Sequence, residues 1–249
     1  MKVFFDVNQS LLESLFESYS ENSKLLISKI SQDKNLSQFD RFNKRFKISW
    51  GMKIEFADDL RIVKEDTRAC YMLMLKISDL WFAFEHLVKT ASEIIPKDMN
   101  SRSKVDFYRE DTLETLGFSP VTSNFNKLIY GSVLNKEAWR SEVYYLLTYL
   151  RNNTRGGTQK LIAAAALLLK ESQELQAKHL FSLAYGIRNV YVHEGVAAAL
   201  GSGNYHVKRA LYSVTYDILV LYSLTLANFY CCKKLTKYSL NACKSEIVG

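Results

Sequence analysis

Turn-forming residues are scarce in this sequence. Only 10 glycines and 2 prolines, Pro96 and Pro120, occur among its 249 residues. A sheet-rich fold needs such residues at short intervals to turn between strands, so their scarcity argues against a sheet and favours long helices joined by few loops. The hydrophobic content of 48% is enough to fill a sizeable core. We therefore expect an all-α fold.

Cysteine is also sparse, and an apolar leader is lacking. The four cysteines form no C-x-x-C pair, so the sequence indicates neither a disulfide framework nor a zinc site, and we expect no metal and no other cofactor. Asp6 and Asn8 interrupt the start of the chain, where a secretory signal would be uniformly apolar. A reducing, cytoplasmic location fits these features best.

One segment has the length of a membrane span. Ala210 to Cys232 is 23 residues long and mostly apolar. Asp217 and Asn228 interrupt it, and a carboxylate near the centre of a bilayer is costly. We therefore interpret the segment as a buried helix of a bundle and expect no membrane association.

Positive charge exceeds negative charge, with a formal net charge of +7 that favours a polyanion such as nucleic acid. Residues 39–47 alternate aromatic and basic side chains, a pattern that can stack bases and bind phosphates. The alternative is an amphipathic connector whose aromatic side chains pack inward. Further candidates for RNA binding are Arg151, Arg155, His206, Lys208 and Arg209. For these residues the alternative is helix capping or plain solvation.

Apolar residues recur every three or four positions over most of the chain, as amphipathic helices require. We divide the chain into an N-terminal helical extension, residues 1–60, and a helical bundle, residues 61–249. The bundle contains an irregular insertion at about 96–135, where the periodicity weakens. Helices are predicted at about 9–31, 66–94, 105–116, 135–151, 158–173, 174–193 and 205–238.

The segment with the clearest chemistry is RNVYVH, residues 188–193. An Arg five residues before a His arises in roughly one in six random chains of this composition, so the spacing alone is a weak signal. Its setting is more specific, because an apolar helix ends at Arg188 and Asn189, and His193 is followed by the stop Glu194-Gly195. The alternative is that Arg188 and His193 are cations favoured by the dipole at a helix C-terminus.

This motif resembles that of the HEPN superfamily, in which Arg, a polar residue such as Asn, three further residues and His stand near the end of a bundle helix. The segment from Arg68 to Lys89 resembles the early HEPN helix, and residues 174–238 resemble the motif hairpin. The resemblance implies an antiparallel bundle that dimerises and, in active members, a metal-independent endoribonuclease of the toxin or antiviral-defence type. An antitoxin or another regulatory protein is then a candidate partner. Gly195 stands where nucleotidyltransferase-controlled toxins tend to carry a modifiable Tyr, which argues against that form of control.

The residue types suit RNA cleavage in which the ribose 2′-OH attacks the adjacent phosphate and leaves a 2′,3′-cyclic phosphate. Arg188 would stabilise the added charge, and His193 would transfer protons because imidazole titrates near neutral pH. Asn189 would hold the phosphate or brace one of these side chains. Glu85 and Asp79 are candidate supports from a facing helix, with a solvated carboxylate as the alternative.

Helical geometry adds a constraint, because positions 188 and 193 are about 140° apart on an ideal helix. We expect the helix to end or distort before His193, and a two-fold pair of chains to bring two Arg and two His into one cleft. A homodimer with a composite site is therefore predicted. The alternative function is a catalytically inactive HEPN-like module that binds RNA, a nucleotide or a protein. A structural interaction protein is a third class.

Overall fold

The computed structural model is all-helical, and no strand occurs among the residues that it describes, so the all-α expectation is confirmed. Among the seven helices in the described part of the chain, the expected boundaries agree with the observed ones to within six residues for five, while α2 was not expected as a helix. The helices that the structure describes are α1 (Val3–Lys29), α2 (Leu36–Gly51), α3 (Glu65–Ala91), α4 (Glu137–Asn152), α5 (Gly156–Lys170), α6 (Ala177–Glu194) and α7 (Tyr205–Ile247).

Several segments of the chain are not described. The backbone description covers residues 3–29, 36–53, 55, 64–92, 94, 124, 137–194 and 204–247, and the side-chain description covers residues 9–29, 36–53, 55, 64–92, 94, 124, 139–192 and 204–237. The helix expected near 105–116 and almost all of the expected insertion lie outside these ranges. The side chain of His193 also lies outside them.

Three helices form the centre of the bundle. α6 packs antiparallel to α3, since Trp81 lies 5.0 Å from Tyr185 and Phe84 lies 5.9 Å from Phe181, measured between ring centroids. Phe181 also meets Tyr222 of α7 edge-on, at 4.4 Å. These large rings are buried among aliphatic side chains, which is the main source of stability in such a core.

The N-terminal helices pack on the same core. α2 carries Phe39, Phe42 and Phe46 at helical spacing, and all three are buried. The buried hydroxyl of Tyr19 in α1 donates to Asn43 Oδ1 at 2.7 Å, so the polar groups between α1 and α2 are satisfied. The interpretation of residues 39–47 as an amphipathic connector with inward aromatic side chains is confirmed, and the connector is itself a helix.

α7 includes a helical stretch long and apolar enough to cross a membrane, Tyr205–Lys237, with a mean hydropathy of 1.4. However, 89% of its most apolar window is buried inside the protein. The amide of Asn22 in α1 donates to Asn228 Oδ1 at 3.1 Å, so a polar group of this helix is matched by a polar group of its neighbour. Packing within the bundle accounts for the apolar composition of α7.

Two ionisable residues, Lys76 of α3 and Asp217 of α7, interact electrostatically in the interface between these helices. Lys76 Nζ donates to the carbonyl oxygen of Trp50 at 3.3 Å and lies 5.1 Å from the ring centre of Tyr216. Desolvation raises the pKa of Asp217 to about 7, although the charge of Lys76 acts in the opposite direction. The pKa of Lys76 is lowered by the same desolvation. This pair makes the stability of the fold sensitive to pH.

We expect Asp217→Asn to flatten the dependence of stability on pH. The folded pKa of Asp217 exceeds its ordinary value of 3.8, so folding favours the protonated carboxyl. That contribution is fully present below about pH 4 and is lost as the pH rises through about 7. Urea unfolding across this range should show a fall in the free energy of unfolding that is smaller for the variant, by roughly 1–4 kcal/mol. Asp40→Asn, at a side chain that is only partly buried, is the control. Identical pH profiles for Asp217→Asn and wild type would contradict the prediction.

Candidate functional site

Arg188 lies on α6 with its guanidinium group turned toward α3. Its Nη1 donates to Asn189 Oδ1 at 2.8 Å, and its Cζ lies 4.7 Å from the ring centre of Phe82, which is cation–π distance. Arg188, Asn189 and Phe82 all keep a partly exposed surface. The structure thus brings Arg188 and Asn189 together and orients the guanidinium group of a partly exposed arginine.

The helix that carries the motif is uninterrupted. α6 stays helical through Glu194, so the expectation that it would end or distort before His193 is wrong. The backbone positions 188 and 193 are therefore about 140° apart around the axis. Positions 192 and 189 lie between them, and Val192 is an apolar side chain that is 42% exposed. Arg188 and position 193 therefore stand at the two margins of one outward face of α6.

The two candidate supporting carboxylates lie in different surroundings on α3. Asp79 Oδ1 is 3.4 Å from Nη1 of Arg45 in α2, while desolvation raises the pKa of Asp79 and the charge of Arg45 opposes that rise. Glu85 accepts a hydrogen bond from Trp81 Nε1 at 3.2 Å, on its own helix. Asp79 therefore lies beside Phe82 and is engaged by an arginine of the N-terminal region. The support that either carboxylate gives to His193 stays a prediction, since that side chain is not described.

Arg45 is a residue of this site that sequence reasoning did not single out. Its Cζ lies 5.4 Å from the ring centre of Phe82, the same ring that Arg188 contacts. The available signal was the aromatic and basic alternation of residues 39–47, in which the phenylalanines turn inward and the basic residues outward. That pattern shows that Arg45 faces away from the core, but it does not show which helix it meets.

The basic residues at the start of α7 form a separate group. Arg209 Nη1 lies 2.8 Å from Asp66 Oδ1, and His206 Nδ1 lies 3.6 Å from Asp66 Oδ2. A cavity of about 460 Å³ between the starts of α3 and α7 is lined in part by Asp66 and His206. Asp66 and Phe82 are sixteen residues apart on α3, which corresponds to about 24 Å. His206 and Arg209 therefore lie far from Arg188 and are engaged with an acidic residue.

Lys208, a candidate for RNA binding, is buried. Only 1% of its surface is exposed, and its Nζ lies 5.3 Å from the ring centre of Tyr205. Burial lowers the pKa of Lys208, and an interaction with Cys70 acts in the opposite direction. Such a position suits packing between α3 and α7 rather than contact with RNA, and it corrects the expectation that Lys208 reaches a polyanion.

The basic turn between α4 and α5 lies on the other side of α6. Arg151 donates to Asn152 Oδ1 at 3.3 Å, and Arg155 is exposed. Thr154 of this turn approaches Gly186, where an added Cβ would lie 3.4 Å from Thr154 Cγ2. Positions 186 and 188 are about 200° apart on a helix, so this turn and Arg188 are on opposite faces of α6.

Comparisons of the chain with protein-family models, with curated proteins and with solved structures find no match. The resemblance to HEPN ribonucleases thus depends on the motif at residues 188–193 and on the helical segments 68–89 and 174–238.

Proposed function

We propose that the protein is a metal-independent endoribonuclease in which Arg188, Asn189 and His193 act at the scissile phosphate. The observation that supports this most directly is the orientation of the Arg188 guanidinium group. The group is held against Phe82 and bonded to Asn189, and the residue as a whole is partly exposed in the turn of α6 that precedes His193. A planar guanidinium group held in this way matches the non-bridging oxygens of a phosphodiester.

The reaction assigns a separate task to each residue. The 2′-oxygen attacks phosphorus, the bond from phosphorus to the 5′-oxygen breaks, and the products are a 2′,3′-cyclic phosphate and a 5′-hydroxyl. His193 takes the proton of the 2′-hydroxyl or supplies one to the departing 5′-oxygen. Arg188 stabilises the charge that accumulates on the phosphate, the type of interaction that lowers a barrier most effectively. Asn189 braces Arg188 through its carbonyl oxygen.

The angle between positions 188 and 193 supports a homodimer. One straight helix directs the two positions to opposite edges of the same face. A second chain related by a two-fold axis and packed on that face would bring Arg188 of each chain near position 193 of the other. Val192, exposed between them, is an apolar group suited to such an interface. We therefore propose a composite site between two chains. A toxin or defence role, with an antitoxin or another regulator as partner, rests on the family resemblance.

The uninterrupted helix also favours a second candidate function. If α6 never brings Arg188 and His193 to one phosphate, the same surface would bind RNA, a nucleotide or a protein without cutting it. Binding that weakens steeply with salt, in the absence of cleavage, is the signature of this catalytically inactive module.

The test of the nuclease is cleavage of single-stranded RNA in the presence of EDTA. We expect fragments with 2′,3′-cyclic phosphate and 5′-hydroxyl ends, because the proposed chemistry needs no metal. An oligonucleotide with a 2′-deoxyribose at the cleavage position should stay intact there, since it lacks the attacking group. Fragments with 5′-phosphate ends, or cleavage that requires a divalent cation, would refute the proposal.

A further inference from the structure

Two arginines from distant parts of the chain share one aromatic ring. Arg45 of α2 and Arg188 of α6 both lie within cation–π distance of Phe82, at 5.4 and 4.7 Å from its ring centre. Since both distances are measured to the same point, the two Cζ atoms are at most about 10 Å apart. Two like charges at this separation repel each other, and a bound anion would relieve that repulsion.

The acid that pairs with Arg45 holds it weakly. The contact between Arg45 Nη1 and Asp79 Oδ1 is 3.4 Å long, and 45% of the Arg45 side chain is exposed. Exposed ion pairs of this kind contribute little to stability. Arg45 can therefore exchange this carboxylate for an anion from solution.

We propose that Arg45 binds the RNA phosphate next to the one held by Arg188, so that α2 forms part of the RNA-binding surface. The inference rests on the proposed function, because it takes Arg188 as the arginine at the scissile phosphate. The ligand is the phosphodiester backbone, whose oxygens match the guanidinium fork and recur at every nucleotide. Arg45 is thus a binding residue that fixes the register of the strand, and its contribution does not depend on base sequence.

The proposal is tested by the affinity for a single-stranded RNA whose riboses are 2′-O-methylated and which therefore stays uncut. Arg45→Ala should weaken binding by about tenfold and lower the slope of log affinity against log salt by about one, as loss of one phosphate contact requires. The same loss is expected for oligonucleotides of different sequence. Arg45→Lys should restore part of the affinity, since it keeps the charge and loses the fork.

Lys44→Ala is the matched control. It removes the same charge from the neighbouring position, where the side chain is 72% exposed and pairs with Asp40 on α2 itself. Its affinity should change less than about twofold. Equal losses for Lys44→Ala and Arg45→Ala would show a general effect of net charge and would overturn the assignment of a site to Arg45.

Asp79→Asn separates binding from structural support. If Arg45 acted only by tying α2 to α3, removing either partner of the pair would weaken RNA binding. In the proposed arrangement the amide releases Arg45 to the phosphate, so Asp79→Asn should bind RNA about two- to fivefold more tightly. An affinity for Asp79→Asn as low as that of Arg45→Ala, or wild-type affinity and salt slope for Arg45→Ala, would overturn the proposal.

Measurements of RNA binding and of RNA cleavage distinguish the role of Arg45 from the nuclease activity. RNA binding that depends on Arg45, without cleavage of unmodified RNA, would refute the nuclease and leave the binding role of α2 standing. Cleavage of RNA with no dependence of affinity on Arg45 would do the reverse. A wild-type protein that does not bind the methylated RNA would overturn the role of α2, while unmodified RNA would still report on cleavage.

Discussion

Arg188→Ala should lower metal-free RNA cleavage by about 10²–10³-fold, and His193→Ala by about 10²–10⁴-fold. The first substitution removes the cation that stabilises the charge on the phosphate, and the second removes the group that moves protons. Arg188→Ala should not unfold the protein, because Arg188 is partly exposed and contacts Phe82 and Asn189 rather than the centre of the core. Initial rates in EDTA, together with thermal unfolding followed by circular dichroism, measure both effects.

Lys160→Ala is the control for these two variants. Lys160 is an exposed cation on α5, the helix that packs on the Gly186 side of α6, away from Arg188. Its removal should leave the rate within about twofold of wild type. Full activity in both Arg188→Ala and His193→Ala would exclude the motif as the catalytic centre, whatever the affinity for RNA.

Heterodimers of Arg188→Ala and His193→Ala chains should recover about half of the wild-type activity, although each parent is nearly inactive. If a site takes Arg188 from one chain and His193 from its partner, one of the two pairs in such a dimer carries both substitutions and the other carries neither. Co-expression with two different affinity tags, followed by purification on both, isolates these dimers. Given the expected losses, the gain would be about fifty- to 500-fold over the Arg188→Ala parent and about fifty- to 5,000-fold over the His193→Ala parent.

Two results would contradict the composite site. One is a doubly tagged heterodimer that cleaves RNA no faster than its parents. The cleavage rate of a dimer of two Arg188→Ala chains is the baseline for this comparison. The other is wild-type protein that cuts RNA while light scattering finds a monomer under the assay conditions. In either case Arg188 and His193 would have to act within one chain, across the 140° that an unbroken α6 puts between them.

The expected helices match the observed ones where one face of the helix is buried. α3 was expected at about 66–94 and runs Glu65–Ala91, because Met74, Ile77 and Trp81 recur at helical spacing and are all buried. α2 was harder to interpret, since aromatic rings serve equally to fill a core and to stack on bases. Its three phenylalanines pack inward, while its basic residues stay at the surface.

Within the candidate site, the sequence could predict the relative placement of residues that lie on the same helix. Arg188, Asn189 and position 193 lie on α6 with the angles that any α-helix imposes, so their relative placement follows from local geometry. The prediction of a break before His193 failed because the helix continues to Glu194. The scarcity of glycine and proline was likewise enough to establish a helical fold, since it leaves few places for the chain to turn.

Packing between helices that are distant in the sequence determined the remaining contacts. Arg45 meets Arg188 at Phe82, Lys208 is buried between α3 and α7, and Arg209 pairs with Asp66. Each of these depends on which helix faces are pressed together and in which register. Periodicity shows that a face is apolar but not which face it meets, so these contacts between distant segments emerge only when the whole bundle is assembled.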